Sequence, residues 1–148
     1  MRRLERFLGR DMTDCIFCKI GRGEIGAERI LETGYTVAFL DIQPKSPGHS
    51  LVIPKTHVEK LADLDDETVA DVFKVARDVA RMLMKALKPD AFTIGINDGE
   101  AAGQEIAHLH VNIIPRFIGD GGRSIHSVVS NPPVEEIRET ANRIRSVA

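Results

Sequence analysis

The sequence predicts an α+β domain built on a mainly antiparallel sheet, and three observations carry that prediction. Strand-like runs follow one another as hairpin neighbours: Arg29–Glu32 and Val37–Leu40 flank a turn at Thr33-Gly34, and Ser50–Pro54 follows the turn-forming PKSPG at 44–48. One long amphipathic stretch then separates these from two further runs, Phe92–Ile96 and the alternating segment up to Pro115. Helices and strands do not alternate one for one, as a doubly wound parallel sheet requires.

Each element has its own local signal. CIFCKIGRGEI, from Cys15, reads as a short helical turn ended by Gly21 and Gly23. SLVIP is a short apolar strand closed by Pro54 and bracketed by His49 and His57. Asp65, Asp66 and Glu67 supply an acidic helix start, which suits the partial positive charge of a helix N-terminus. Val69, Val72, Phe73, Ala76, Val79, Ala80, Leu83 and Leu87 then recur at helical spacing up to a stop at Pro89, and predict a core-facing stripe. NDGEAAG, from Asn97 to Gly103, is a polar loop leading into GQEIAHLHVNIIPR, a strand that Pro115 ends. Gly119-Asp120-Gly121-Gly122 reads as a flexible loop, and a last amphipathic helix is expected from about Val134 to Val147.

Length and charge bound the function. A chain of 148 residues fits one domain with a real core, expected over 14–148 with an N-terminal tail at 1–13, since Met12 stands just before the first cysteine. A net charge of -2 predicts no nucleic-acid polymer as partner, so any nucleotide is held by a site and not by a basic surface. The N-terminus lacks the apolar core of a signal peptide and no run of 18 apolar residues exists, so a soluble, cytoplasmic protein with no membrane partner is expected. In such a reducing compartment Cys15 and Cys18, the only cysteines, are not expected to pair as a disulfide.

The chemistry-bearing residues cluster in few places. Strict alternation in AHLHVNI puts His108, His110 and Asn112 on one face of a strand. Such a face is either solvated or lines a site, and three uses of it stand open. An imidazole could attack phosphorus and carry a nucleotidyl group as a phosphoramidate; His108 and His110 could both bind a catalytic zinc; or the histidines could only support the fold. Cys15 and Cys18 are likewise either small buried hydrophobes or half of a four-ligand zinc site. Gly99, Gly103 and Gln104 lie just upstream, where bare backbone N–H groups and an amide could meet phosphate oxygens.

Taken together, GQEIAHLHVNIIPR, PGHSLVIPKTH and CIFCKI resemble, in order and over roughly residues 14–117, the histidine-triad (HIT) family of nucleotide hydrolases and transferases, in its Hint-like branch. The resemblance implies a HIT-like α+β fold and a homodimer whose sheets join across the interface. Its nucleophile would be the middle triad residue, His110, with His49 supporting the triad. Asp41 would accept hydrogen bonds from the ribose hydroxyls, Asn97 would stand near the α-phosphate, and Phe17, Phe39 and Ile42 would wall the base. Gly103 and the backbone of Glu105 would face the phosphate with Gln104 beside them; relatives often have a hydroxyl residue where this chain has Glu105. Cys15, Cys18, His57 and His108 would hold a structural zinc ion (Zn2+), closed to substrate, which argues against the catalytic-zinc use.

Asn112 departs from the usual third histidine. The resemblance has that residue's backbone carbonyl hold the nucleophile's Nδ1, a role that survives substitution, whereas a side chain able to carry positive charge is lost. Related transferases and phosphorylases use another amide, glutamine, at this position. The function implied is therefore hydrolysis of an AMP-type phosphoramidate or nucleotidyl ester through a nucleotidyl-histidine. Nucleotidyl transfer or phosphorolysis through the same intermediate, or a non-catalytic nucleotide-binding module, are the alternatives. His126 reads as an ordinary surface residue.

Overall fold

A computed structural model describes residues 14–148; the expected tail at 1–13 lies outside the described residues. Five strands, β1 (Arg29–Glu32), β2 (Thr36–Leu40), β3 (Ser50–Pro54), β4 (Ala91–Gly95) and β5 (Val111–Arg116), form one sheet in the order β1-β2-β3-β5-β4. Every neighbouring pair is antiparallel, as the hairpin pattern predicts. Three α-helices accompany it: α1 (Ile16–Gly21), α2 (Asp66–Leu87) and α3 (Ile137–Arg145).

β2 is buried at four of its five positions and β3 at all five, because both faces of the sheet are covered there. Ala38, Val52, Val111 and Ile113 pack under Val72, Val75, Ala76, Val79 and Leu83 of α2. On the other face Val37, Phe39, Leu51 and Ile53 pack against Cys15, Phe17, Cys18 and Ile20 from α1 and its cap. The expected α2 stripe is corrected at its margins. Phe73 and Leu87 are exposed, while Val75, 2% exposed, is core. The helix starts where the acidic run places it, with Asp65 accepting the Thr68 N–H at 2.8 Å, and it ends in a left-handed Lys88 ahead of Pro89.

Pro115 does not end its strand. It lies inside β5 opposite Phe92, beyond Ile113, the last residue of β5 that β3 pairs, where a missing N–H costs nothing on the β3 side. The last helix is shorter than expected, 137–145 instead of about 134–147, and none of its residues is buried. No helix among the described residues is long and apolar enough to cross a membrane.

Gly48 joins the loop before β3 to the end of α2. Its φ is +83°, and a Cβ there would stand 2.5 Å from Leu87 Cδ1 and 3.1 Å from Leu83 Cδ2. Gly48→Ala is therefore expected to cost about 2 kcal/mol from backbone strain and overpacking together. Urea unfolding of the variant, compared with wild type, checks this.

Candidate active site and metal centre

The histidine-rich stretch is not one continuous strand. Residues 106–108 form a bend in which the His108 N–H bonds to the Ile106 carbonyl, and pairing begins only at Val111. His108 has no exposed surface, and it keeps the expected face: it and His110 both pack edge-on against Phe17 on the α1 side of the sheet, the side on which Asn112 stands opposite Leu51. There His108 meets Cys15, Cys18 and His57, and the four ligand atoms lie within 4.8 Å of one another. The Nδ1 of His108 stands 3.4 Å from Cys15 Sγ and 3.5 Å from Cys18 Sγ, and His57 Nδ1 stands 3.2 Å from Cys18 Sγ.

This donor set fits a tetrahedral ion. Zinc bonded to sulfur at about 2.3 Å and to nitrogen at about 2.0 Å puts those atoms about 3.5 Å apart. The His108 Nε2–H donates to the Pro54 carbonyl at 2.9 Å, which leaves Nδ1 as the lone-pair nitrogen facing the sulfurs. Burial works against charge in the metal-free cluster: it pushes the Cys18 thiol up to about 12, reinforced by Cys15, and the His108 imidazole down to about 4. A bound dication reverses the penalty on the thiolates and releases their protons.

The His108 shift carries a stability prediction. Between pH 6.5 and about 4 the unfolded chain binds a proton that the folded, metal-free chain refuses. Stability of that form is expected to fall as pH drops through this window, by at most about 1.4 kcal/mol per pH unit from this residue. Thermal unfolding of chelator-treated protein at pH 7 and pH 5 measures it.

His110 is set up differently from its neighbour. Its Nδ1–H donates to the carbonyl of His108 at 2.8 Å, so Nε2 keeps its lone pair free. The expected holder, the Asn112 carbonyl, is replaced by that of His108, because the bend before β5 folds that carbonyl under the ring two residues on. Phe17 packs edge-on against the His110 ring at 5.3 Å between centroids.

Asn112 sits at the centre of a network anchored on backbone at both ends. The Lys45 N–H donates to His49 Nδ1 at 3.2 Å, so neutral His49 carries its proton on Nε2 and gives it to Asn112 Oδ1 at 3.0 Å. The Asn112 amide nitrogen then faces the Gly95 carbonyl at 3.4 Å, with a second N–H to spare. Asp41 Oδ2 lies 3.7 Å from His49 Nε2, and its Oδ1 accepts the Gln43 N–H.

The loop before His108 departs in two respects from expectation. The Gln104 side chain is spent on the loop itself: its oxygen accepts the Gly99 N–H at 2.8 Å and its nitrogen donates to the Glu59 carbonyl at 2.9 Å. The Gly103 N–H is also spent, on the Glu100 carbonyl at 2.9 Å. The N–H groups of Glu105, Ile106 and Ala107, by contrast, have no protein partner among the described residues. Three consecutive amides without a protein partner thus stand directly before the histidines, the kind of donor an anion can engage. The Glu105 side chain is exposed, and Asn97 Nδ2 would lie 3.9 Å from a Cβ at Gly103. Phe17 and Phe39 are core residues in edge contact at 5.7 Å, and Ile42 is 90% exposed beside Asp41. Of the three free amides the sequence expects that of Glu105; it misses those of Ile106 and Ala107, the Lys45 N–H and the Gly95 carbonyl, since backbone groups leave no residue-type signal.

Comparison with known proteins agrees with this geometry. The HIT domain family matches residues 22–119. The adenosine 5'-monophosphoramidase of Saccharomyces cerevisiae is 46% identical over 102 residues, covering 69% of this chain and 62% of that one. Among solved structures, a HIT family protein from Bacillus subtilis superposes with a TM-score of 0.78 at 34% identity, over 90% of this chain and 94% of that one. A zinc-bound histidine triad family protein from Mycobacterium smegmatis has a TM-score of 0.67 at 33% identity, over 93% and 100% of the two chains. The sequence motifs, the fold and these likenesses agree, and the chain belongs to the HIT domain family.

Proposed function

We propose that the protein is a nucleotide hydrolase that acts through a nucleotidyl-histidine on His110, on substrates in which AMP is joined through its α-phosphate to a nitrogen or oxygen leaving group. The observation that carries this reading is the 2.8 Å bond from His110 Nδ1–H to the His108 carbonyl, which reserves Nε2 as a nucleophile. The kinship with an adenosine 5'-monophosphoramidase supports the substrate class.

In the first step the Nε2 lone pair forms a bond to the α-phosphorus, and the leaving group departs with the pair of the bond that breaks. An amine takes up a proton as it leaves. Water then adds to phosphorus, the P–N bond breaks back onto His110, and AMP is released with loss of the water's proton. The amides of Glu105, Ile106 and Ala107 and the spare N–H of Asn112 are the donors for the charge that develops on the phosphoryl oxygens. Asp41 keeps Oδ2 for the ribose hydroxyls, and Phe17, Phe39 and Ile42 would bound the base. Transfer to phosphate or a sugar phosphate instead of water uses the same intermediate.

Cys15, Cys18, His57 and His108 would hold zinc as a structural ion, since two thiolates and two imidazoles complete a tetrahedral shell. Thiolates in this role suit a reducing, cytoplasmic setting. The unpaired edge of β4, with Ile94 45% exposed, supports a homodimer joined along that edge. Release of AMP from adenosine 5'-phosphoramidate by purified protein, with His110→Ala as control, tests the reading. Turnover that survives the substitution overturns it.

A further inference from the structure

The loop that leads into the histidines is tied off by one side chain. Gln104 is 3% exposed, and both ends of its amide are occupied by backbone groups: Oε1 accepts the Gly99 N–H at 2.8 Å and Nε2 donates to the Glu59 carbonyl at 2.9 Å. Its own N–H adds a third bond, to the Gly99 carbonyl at 3.2 Å. Gly99 and Gln104 thus close the neck of the 99–104 loop with two bonds, and the third fastens that neck to the segment after β3.

The same segment holds the other end. The Leu109 N–H donates to the Val58 carbonyl at 2.7 Å, one residue before Glu59, and the Leu61 N–H donates to Asp98 Oδ1 at 3.1 Å. Residues 105–107, whose N–H groups have no protein partner among the described residues, therefore hang between two anchors on neighbouring carbonyls. Downstream, His108 and Leu109 are fixed by burial, with no exposed surface. Upstream, the anchor nearest the amides is the bond from Gln104 Nε2.

This clamp calls for a primary amide. One side-chain carbon must present an acceptor to an N–H and a donor to a carbonyl, so a carboxylate satisfies one partner and opposes the other, and a thioether satisfies neither. Loss of either bond leaves a backbone group without its partner, and the loop must shift to find another. Free amides stabilise charge on a phosphate only while they hold their direction. We propose that Gln104, the side chain expected beside the phosphate, is a positioning residue: it touches no nucleotide and instead aims the N–H groups of Glu105, Ile106 and Ala107 at the phosphoryl oxygens. This rests on the nucleotidyl-histidine reading above and assigns a residue to the phosphate half of that site.

The test measures the affinities of AMP and of adenosine, which differ only by the phosphate, in wild type, Gln104→Met and Gln104→Glu. Methionine keeps the length of the side chain and glutamate keeps the acceptor for the Gly99 N–H, so either variant that thermal unfolding shows to be folded decides the question. Each folded variant is expected to bind AMP about tenfold more weakly, with adenosine within about twofold of wild type. A residue that only fills the interior would leave Gln104→Met at the wild-type ratio, or lose both ligands together, and either result overturns the proposal. In the wild type, AMP but not adenosine is expected to slow hydrogen exchange at 105–107; exchange that AMP leaves unchanged overturns the proposal whatever the variants do. Any of these failures, beside AMP release from adenosine 5'-phosphoramidate that needs His110, leaves the nucleotidyl-histidine reading standing. A wild type that releases AMP no faster than His110→Ala overturns that reading and this proposal with it.

Discussion

His110→Ala is expected to lower kcat for an AMP phosphoramidate by at least about 10^4-fold while AMP still binds with an affinity within a few fold of wild type. The split follows from the geometry. In the proposed mode the three free amides at 105–107, the Asn112 amide and Asp41 would hold the nucleotide without His110, whereas no other lone-pair nitrogen in the strand is free to attack. His108 offers no substitute, since its Nδ1 faces Cys15 and Cys18 and its Nε2–H is held by Pro54. Titration calorimetry with AMP and single-turnover kinetics read the two halves separately. Loss of binding in proportion to loss of turnover would make His110 a ligand-holding residue instead.

The second large effect is expected at the metal centre. Cys15 has two jobs: it caps α1, accepting the Cys18 N–H at 3.4 Å, and it offers a sulfur to the four-donor cluster. Cys15→Ser keeps a side-chain oxygen able to cap the helix, so what the variant loses is the metal bond. Bound zinc contributes its binding energy to folding, and a loss of about 4 kcal/mol corresponds to about 10 °C in Tm for a domain of this size. Cys15→Ser is expected to lose zinc and at least that much thermal stability together. Activity should fall as well, because the backbone of His108, one of the four residues proposed to hold zinc, carries the carbonyl that orients His110. Elemental analysis beside thermal unfolding measures the effect; a variant that unfolds at the wild-type temperature with no zinc in either protein contradicts it.

Much of this architecture is legible in residue types and spacing. The hairpin runs, the acidic start of α2 and the order of motifs give the sheet and helix, and Cys15, Cys18, His57 and His108 do meet in space. The failures have physical causes. In AHLHVNI, Leu109 and Val111 are buried whether the strand starts at 108 or at 111, so alternation alone cannot reveal that a bend at 106–108 delays the strand. Phe73 sits at a position with helical spacing but on the rim of the α2 contact, and periodicity does not say how wide the covering sheet is. Gln104 has the right side chain to meet a phosphate, yet its oxygen and nitrogen are worth more to a loop whose Gly99 N–H and Glu59 carbonyl need partners. The donors best placed for a phosphate are backbone amides, which no residue identity announces.

The central claim is that His110 Nε2 becomes covalently bonded to the α-phosphorus. Intact-protein mass spectrometry of acid-sensitive adducts, made by rapid base quench during turnover of an AMP phosphoramidate and followed by peptide mapping, tests it most directly. The account predicts one adenylyl group on the peptide that carries His110 in the wild type, and none in His110→Ala. Sustained AMP release with no adduct on that peptide, under conditions where a chemically adenylylated histidine standard survives the quench, would contradict it.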